Sequence, residues 1–202
     1  MEIDKPKVSI VIPVYNSAST IRRALQSVAD QTFKNFETII VDNNCTDASI
    51  TIARTFQDDI NLRIVDCKEQ GIVPALNAGL SASRGDLIAR QDADDYWYPT
   101  KLEKQVKFLE SNPDVDVLGT QIRLLDENGV YQPRGTYDNP VIYPTDDSTI
   151  KTFLMLGQNP LCHPSVMFRK SVFLIVGGYT RLFHLAEDLH YWCRALPHCN
   201  FA

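Results

Sequence analysis

Apolar residues fall along this chain in two alternating rhythms. Short unbroken runs are followed by stretches in which apolar positions recur every three or four residues. The first run, Val8 to Val14 within KVSIVIPVYN (7–16), is β-branched and almost continuously apolar. It predicts a strand buried on both faces, as in a parallel sheet. It stops at Pro13–Val14–Tyr15–Asn16, and Ser17 or Ser19 is then placed to cap a helix. In that helix Ile21, Ala24, Leu25 and Val28 recur at i, i+3, i+4, i+7. FETIIVD (36–42) predicts the second strand, and Thr46 or Asp47 a cap for a helix through Phe56. LRIVDC (62–67) predicts the third strand. After Gly71 comes a helical stripe of Ile72, Ala75, Leu76, Gly79 and Leu80. GDLIAR (85–90) is the fourth strand, and Pro99 opens a helix with Leu102, Val106 and Leu109 on one face. Strand followed by helix, four times over, predicts a Rossmann-like α/β unit: a parallel sheet with helices on both faces.

After about residue 113 the rhythm changes. VDVLGTQIRLLDENGVYQ (115–132) predicts two strands joined by a turn at Asn128–Gly129. Residues 135–147, rich in Pro, Asp and Tyr, read as a loop. CHPSVMFRK (162–170) is a strand candidate and VGGY (176–179) a turn. A last helix starts at Glu187 and carries Leu189, Trp192, Cys193 and Leu196. Ala202 falls just past it with no closing element in view, as in a piece of a longer chain. There is no internal repeat and no low-complexity tract.

Composition narrows the class. The chain has 202 residues, 44% hydrophobic and 22% charged, values of a folded soluble protein. Its net charge of −5, from 20 basic and 25 acidic residues, argues against a nucleic-acid binder. Anionic small molecules stay in play, because a bound cation reverses the local sign. The five cysteines (Cys45, Cys67, Cys162, Cys193, Cys199) are odd in number and form no C-x-x-C. Reduced thiols in a cytoplasmic compartment are the better reading than a disulfide framework or zinc cage. Charges at Glu2, Asp4, Lys5 and Lys7 argue against a signal peptide. No apolar run approaches the roughly 18–20 residues of a membrane span, which leaves peripheral membrane contact open.

In an open parallel sheet, ligands bind outside the carboxyl ends of the strands. At those ends lie Tyr15–Asn16, Asp42–Asn43–Asn44, Asp66 and Asp92–Ala93–Asp94–Asp95. Any one of these reads equally well as a turn or helix cap. Together they should converge on one edge. A D-x-D pair on a turning backbone offers hard oxygen ligands suited to Mg²⁺ or Mn²⁺. No G-x-x-x-x-G-K-[ST] is present and no G-x-G-x-x-G follows the first strand, which excludes a P-loop and argues against a dinucleotide site. Arg84 and Arg90 flank the fourth strand, suited to a diphosphate or to carboxylate pairing. Asn77 is a candidate donor contact. Glu187–Asp188 is either a second acidic site or a pair of acids complementing a helix dipole. His163 reads as a structural histidine as readily as a ligand. Trp97 reads as packing, and Lys101, Glu103, Lys104 and Lys107 as a solvated helix face.

Five blocks in order, VSIVIPVYN, TIIVDNNCTD, GIVPALNAGLSASRGDLIARQDADD, HPSVMFRK and AEDLHYWCRAL, resemble family 2 glycosyltransferases of the GT-A fold. The resemblance spans essentially the whole chain. It implies one GT-A domain over 1–202, with a nucleotide-sugar-binding half (1–95) and a smaller, mixed acceptor-side half (96–202). It implies inverting transfer of a sugar from a nucleotide-diphosphate-sugar, UDP foremost, to a hydroxyl of a glycan or lipid-linked glycan, with Mn²⁺ or Mg²⁺. Pro13, Val14 and Tyr15 would contact the nucleotide and Asp42 the edge of its base. Asp92 would meet the ribose or lie near the metal, and Asp94 would ligate the metal. Asp188 would be the catalytic base beside Glu187. His163 would lie near the acceptor and diphosphate, a third candidate metal ligand. By analogy the work would be surface polysaccharide or lipopolysaccharide synthesis, cytoplasmic, at the inner face of a membrane.

One departure stands out: many members carry a second Asp where this chain has Asn43. The Q-x-x-R-W block of processive synthases is absent from these residues, which favours single-sugar transfer. The chemistry asks for two separate acidic sites. One is a base on the far side of the sugar from the leaving group; the other holds the metal that stabilises the departing diphosphate. Two rivals remain. A sugar-nucleotide pyrophosphorylase would need a Gly-rich basic loop after the first strand, which PVYNSAST is not. An inactive nucleotide-sugar-binding module would have no need of an acid at Asp188.

Overall fold

The computed structural model describes residues 5–125, 142–183 and 185–202. The four anticipated strands form as β1 (Val8–Val14), β2 (Phe36–Asp42), β3 (Leu62–Asp66) and β4 (Leu87–Arg90). They alternate with helices α1 (Ile21–Ala29), α2 (Ser49–Arg54), α3 (Ile72–Ala82) and α4 (Lys101–Ser111). All four strands are parallel, and two short strands, β5 (Val117–Leu118) and β6 (Met167–Arg169), complete the sheet. The order is β3-β2-β1-β4-β6-β5, with β6 antiparallel to both β4 and β5. The expected mixed α/β class, a mostly parallel sheet flanked by helices, therefore holds. The order reverses between β1 and β4, which opens a crevice where the loops after these strands turn opposite ways.

Side-chain alternation in the strands divides the core in two. Ile10, Ile12, Val14, Ile40 and Ala89 pack with Leu25 of α1 and Val106 of α4. Val11, Ile39, Val41 and Ile88 pack with Leu76 of α3 and with Tyr191 and Trp192 of α7 (Glu187–Ala195). Helix α3 lies so close to the sheet that a Cβ at Gly79 would stand 2.3 Å from Val11 Cγ1. That position is closed to any other residue without moving the helix.

The amino edge of the sheet holds a buried polar knot. Ser9 Oγ donates to Glu37 Oε1 (2.7 Å), Arg63 Nη2 to Glu37 Oε2 (2.7 Å), and the Arg84 N–H to Glu37 Oε1 (2.8 Å). Burial pushes the Glu37 carboxyl up, but these donors and the Arg63 charge outweigh it and hold it below the usual range.

Several local expectations are corrected. The side chains of Ser17 and Ser19 do not cap α1; the Ser17 carbonyl accepts the Thr20 and Ile21 N–H groups instead. Of Thr46 and Asp47, it is Asp47 that supports α2, its carboxylate accepting the Ser49 N–H at 2.9 Å. The hairpin turn at Asn128–Gly129 lies outside the described residues, and β5 pairs with β6. The strand expected over 162–170 shrinks to β6, after a single tight turn at His163–Ser165. Helices α5 (Asp147–Met155) and α6 (Lys170–Val176) were not foreseen. Helix α5 buries only Ile150 and Leu154, too few for a periodic stripe, and KSVFLIV in α6 is a β-branched run that reads as strand. The last residues also close on the sheet: the Ala202 N–H donates to Val117 O and the Gly119 N–H to Ala202 O. Among the described residues no helix is long and apolar enough to cross a membrane.

Candidate active site

Val14, Asp42 and Asp66 are register partners, so the carboxyl ends of β1, β2 and β3 finish level. Pro13 and Val14 are buried in β1, and Tyr15 stands at the rim, 56% exposed. Asn16 and Asn44 take left-handed backbone (φ 47° and 65°), which Asn tolerates better than most residues. Asp42 is half-buried and accepts the Cys45 N–H at 2.9 Å. Asn43 is buried and fully engaged. Its Nδ2 donates to Cys67 O (3.1 Å) and Glu69 O (2.8 Å), and its Oδ1 accepts the Gly71 N–H (2.8 Å). Asn rather than Asp at this position has a physical reason here, since a carboxylate cannot donate to two carbonyls.

The loop after β4 is held from below by α1. Gln91 Nε2 reaches Asp95 O (3.3 Å), and the Trp97 N–H donates to Ser27 Oγ (3.0 Å). Arg90 grips both oxygens of Asp92 with its terminal nitrogens. Asp94 is exposed, while its carbonyl accepts Arg23 Nη2 at 3.1 Å. Burial pushes the Asp92 carboxyl up against the pull of Arg90, and the charges of Asp94 and Asp188 add to the rise. Burial and then the charges of Asp92 and Asp94 push Asp95 up to about 6.

Helix α7 packs beside β4, Trp192 meeting His163 and Phe168 of β6 edge-on, so the charge of Asp188 in its first turn reaches Asp92. Asn159 Nδ2 donates to Asp188 Oδ2, and the Leu189 N–H to Asp188 Oδ1, both at 2.7 Å. Glu187 is its half-buried neighbour. Tyr15, Asp42, Asp92, Asp94, Asp95 and Asp188 thus come from four segments to one edge of the sheet.

Three candidates do not join them. Arg84 precedes β4, and its exposed side chain leaves from the opposite, amino edge, where its N–H serves Glu37. Asn77 is spent on Tyr179: its Nδ2 donates to Tyr179 O (3.0 Å) and its Oδ1 accepts the Tyr179 N–H (2.8 Å). A Cβ at Gly178 would fall 2.6 Å from that Oδ1, so glycine is needed beneath the latch. His163 is buried between Tyr179 and Trp192, and its Nε2 is bonded to the Tyr179 hydroxyl at 2.9 Å. Burial, and secondarily Arg90, holds its imidazole well below the usual range. It sits in the core with its Nε2 engaged by Tyr179, apart from the carboxylates of the sheet edge.

The solvated-face reading also fails for Lys101. Its Nζ lies 3.9 Å above the Trp97 ring and donates to Gln105 Oε1 at 2.7 Å. Burial pulls the amine down to about 7. Asn159 escaped sequence reasoning altogether, since its partner lies 29 residues on, whereas of the two roles open to Arg90 the structure shows carboxylate pairing, with Asp92 as the partner.

Among the described residues no three His, Cys, Asp or Glu side chains form a metal cage. The donor set fits a shared ion instead. Asp94 projects an exposed carboxylate beside Asp92 and Asp95, whose carboxyls are pushed up first by burial and then by mutual repulsion. A hard divalent cation would relieve that repulsion.

The family model described as Glycosyl transferase family 2 matches residues 9–174. The putative glycosyltransferase EpsE of Bacillus subtilis is 35% identical over 195 residues, covering 94% of this chain and 66% of that protein. The O-antigen biosynthesis glycosyltransferase WbnJ of Escherichia coli is 29% identical over 194 residues, covering 95% and 72%. S. aureus TarS 1–349 in complex with UDP-GlcNAc has a TM-score of 0.75 at 24% identity, over 96% of this chain and 55% of that one. Mannosyltransferase PcManGT from Pyrobaculum calidifontis, in complex with GDP-Man and Mn²⁺, has a TM-score of 0.72 at 21% identity, over 98% and 55%. At these identities the structures establish a shared fold, the expected GT-A architecture. The chain spans 66% of the length of the B. subtilis relative and little over half of either solved chain.

Proposed function

The chain belongs to glycosyl transferase family 2, and from that premise we propose that it moves a sugar from a nucleotide-diphosphate-sugar to a hydroxyl acceptor, with inversion and with Mn²⁺ or Mg²⁺. The observation that carries this is the convergence of two separate acidic sites on one sheet edge: Asp92–Asp95 after β4 and Asp188 in α7. The O-antigen biosynthesis named for the E. coli relative supports surface polysaccharide as the product. UDP-GlcNAc in one structural neighbour and GDP-Man with Mn²⁺ in another support the donor class and the cation.

In this reading Pro13, Val14 and Tyr15 border the nucleotide. Asp42, at the end of β2, meets the base edge. Asp92 contacts the ribose, and Asp94 would hold the cation. When bound, the cation neutralises charge growing on the departing diphosphate. Asp188 takes the acceptor's proton from the side opposite the leaving group. Its carboxylate is already oriented by Asn159 and the Leu189 N–H. The donor half is then 1–95, and 96–202 supplies the base and the acceptor side.

Ligand binding to the native state raises apparent stability. A thermal-shift panel of UDP-, GDP-, dTDP- and CMP-sugars with Mn²⁺ should single out one nucleotide. Asp94→Ala should remove the part of the shift that depends on Mn²⁺. No shift with any of the four would overturn the proposal, and a shift that Mn²⁺ does not alter would remove the metal from it.

A further inference from the structure

Arg90 ends β4 and is only 6% exposed. Ala89 faces the core with α1 and α4, and Ile88 the core with α3 and α7. Alternation therefore directs Arg90 to the α3 and α7 side. Its N–H donates to Val166 O at 3.1 Å, fixing its backbone beside β6 at the crevice. Its two terminal nitrogens hold both oxygens of Asp92. Its Nε is buried with no hydrogen-bond partner among the described residues. A buried guanidinium needs a compensating charge, and Asp92 supplies it. The charge of Arg90 is felt at Asp95, Cys162, His163 and Tyr179, and that of Asp188 at Asp92 and Tyr179. Arg90 is thus a buried cation at the carboxyl end of β4, locked onto Asp92.

We propose that Arg90 is a positioning residue for donor binding: its two-pronged grip fixes the Asp92 carboxylate in one orientation at the donor edge. This rests on the reading of Asp92 as a donor contact. A carboxylate has about four lone-pair positions, so the pair taken by Arg90 leaves others for a ribose hydroxyl. A planar guanidinium sets the carboxylate's plane and rotamer together; an ammonium restrains only its distance. Because the grip acts on Asp92 and not on Asp188, its effect falls on donor affinity more than on deprotonation of the acceptor.

The test is a double-mutant cycle read by calorimetric titration with UDP and GDP in the presence of Mn²⁺. Arg90→Lys should raise the Kd of the nucleotide that binds by about tenfold. In an Asp92→Asn background the same change should move Kd by less than about twofold, because the residue acts through Asp92. Equal effects in both backgrounds, or no effect in the folded Asp92 protein, would overturn the proposal. A wild type that binds neither nucleotide would instead overturn the donor-site reading beneath it. Arg90→Gln, which keeps one donor to Asp92, stands in if the lysine variant does not fold. Wild type alone provides a second readout. Hindered rotation should split the Arg90 Nη resonances in nitrogen-detected spectra, and the splitting should persist with UDP and Mg²⁺. A single averaged resonance in the free protein would also overturn it.

Discussion

Asp92, Asp94 and Asp95 crowd within four positions after β4, whereas Asp188 stands in a helix's first turn with neutral donors on both of its oxygens. The first group is held against its own repulsion. Burial and neighbouring carboxylates push Asp92 and Asp95 upward, and Arg90 opposes the rise at both, by an ion pair at Asp92 and by its charge alone at Asp95. Asp188 needs no such counter-charge, since an amide and a backbone N–H orient it. The difference suits two tasks. A crowded acidic loop gains most from a cation, while a singly placed carboxylate is free to accept a proton.

The comparison breaks most sharply if the two sites are removed separately. Asp188→Asn should lower the transfer rate by about 10²–10⁴-fold, the usual scale for a lost general base. Nucleotide affinity, measured by titration, should stay within about twofold of wild type. Asp94→Ala should do the reverse in kind, abolishing the advantage that Mn²⁺ gives to nucleotide binding. Full transfer activity in Asp188→Asn would reject it as the base.

Legibility followed the same division. Strands β1, β2 and β4 are buried along nearly their whole length and show as mainly apolar runs, the half-buried edge strand β3 less so, and a ligand edge follows from where the runs stop. That places Tyr15, Asp42 and the β4 aspartates together from sequence alone. Arg84 and Arg90 illustrate the rule's direction: the one before β4 emerges at the amino edge, the one ending it at the carboxyl edge. Past residue 113 the strands shrink to two or three residues and α6 buries little, so no period has room to show. For Asn77 and His163 the sequence left the partner open, because it is Tyr179, which lies 102 and 16 residues away. Local pattern carries no trace of such a contact.

Asn159 sharpens the contrast from the base side. Asn159→Ala leaves Asp188 with one donor, the Leu189 N–H, and adds rotameric freedom at the carboxylate. The transfer rate should fall by about tenfold, the loss of one orienting hydrogen bond. Nucleotide Kd should not change. A matching loss in nucleotide affinity would mean that Asn159 serves the donor site, and the two acidic sites would no longer be separable.

Lys101 tests whether the crowded loop draws on any second amine. It follows that loop directly, yet the influences on its amine are burial and Cys162, not the aspartates, and Trp97 lies beneath it. A buried amine held down to about 7 binds fewer protons folded than unfolded between about pH 7 and 10.4, so its contribution to stability rises with pH across that window. Lys101→Met keeps the apolar stem over Trp97 and removes the desolvated amine. The variant should melt about 2–4 °C higher at pH 7 and lose this part of the pH slope, with the gap narrowing toward pH 10. Mn²⁺-dependent nucleotide binding should be unchanged. If it weakened, Lys101 would have to act as a counter-charge to the acidic loop, and Arg90 would not be carrying that role alone.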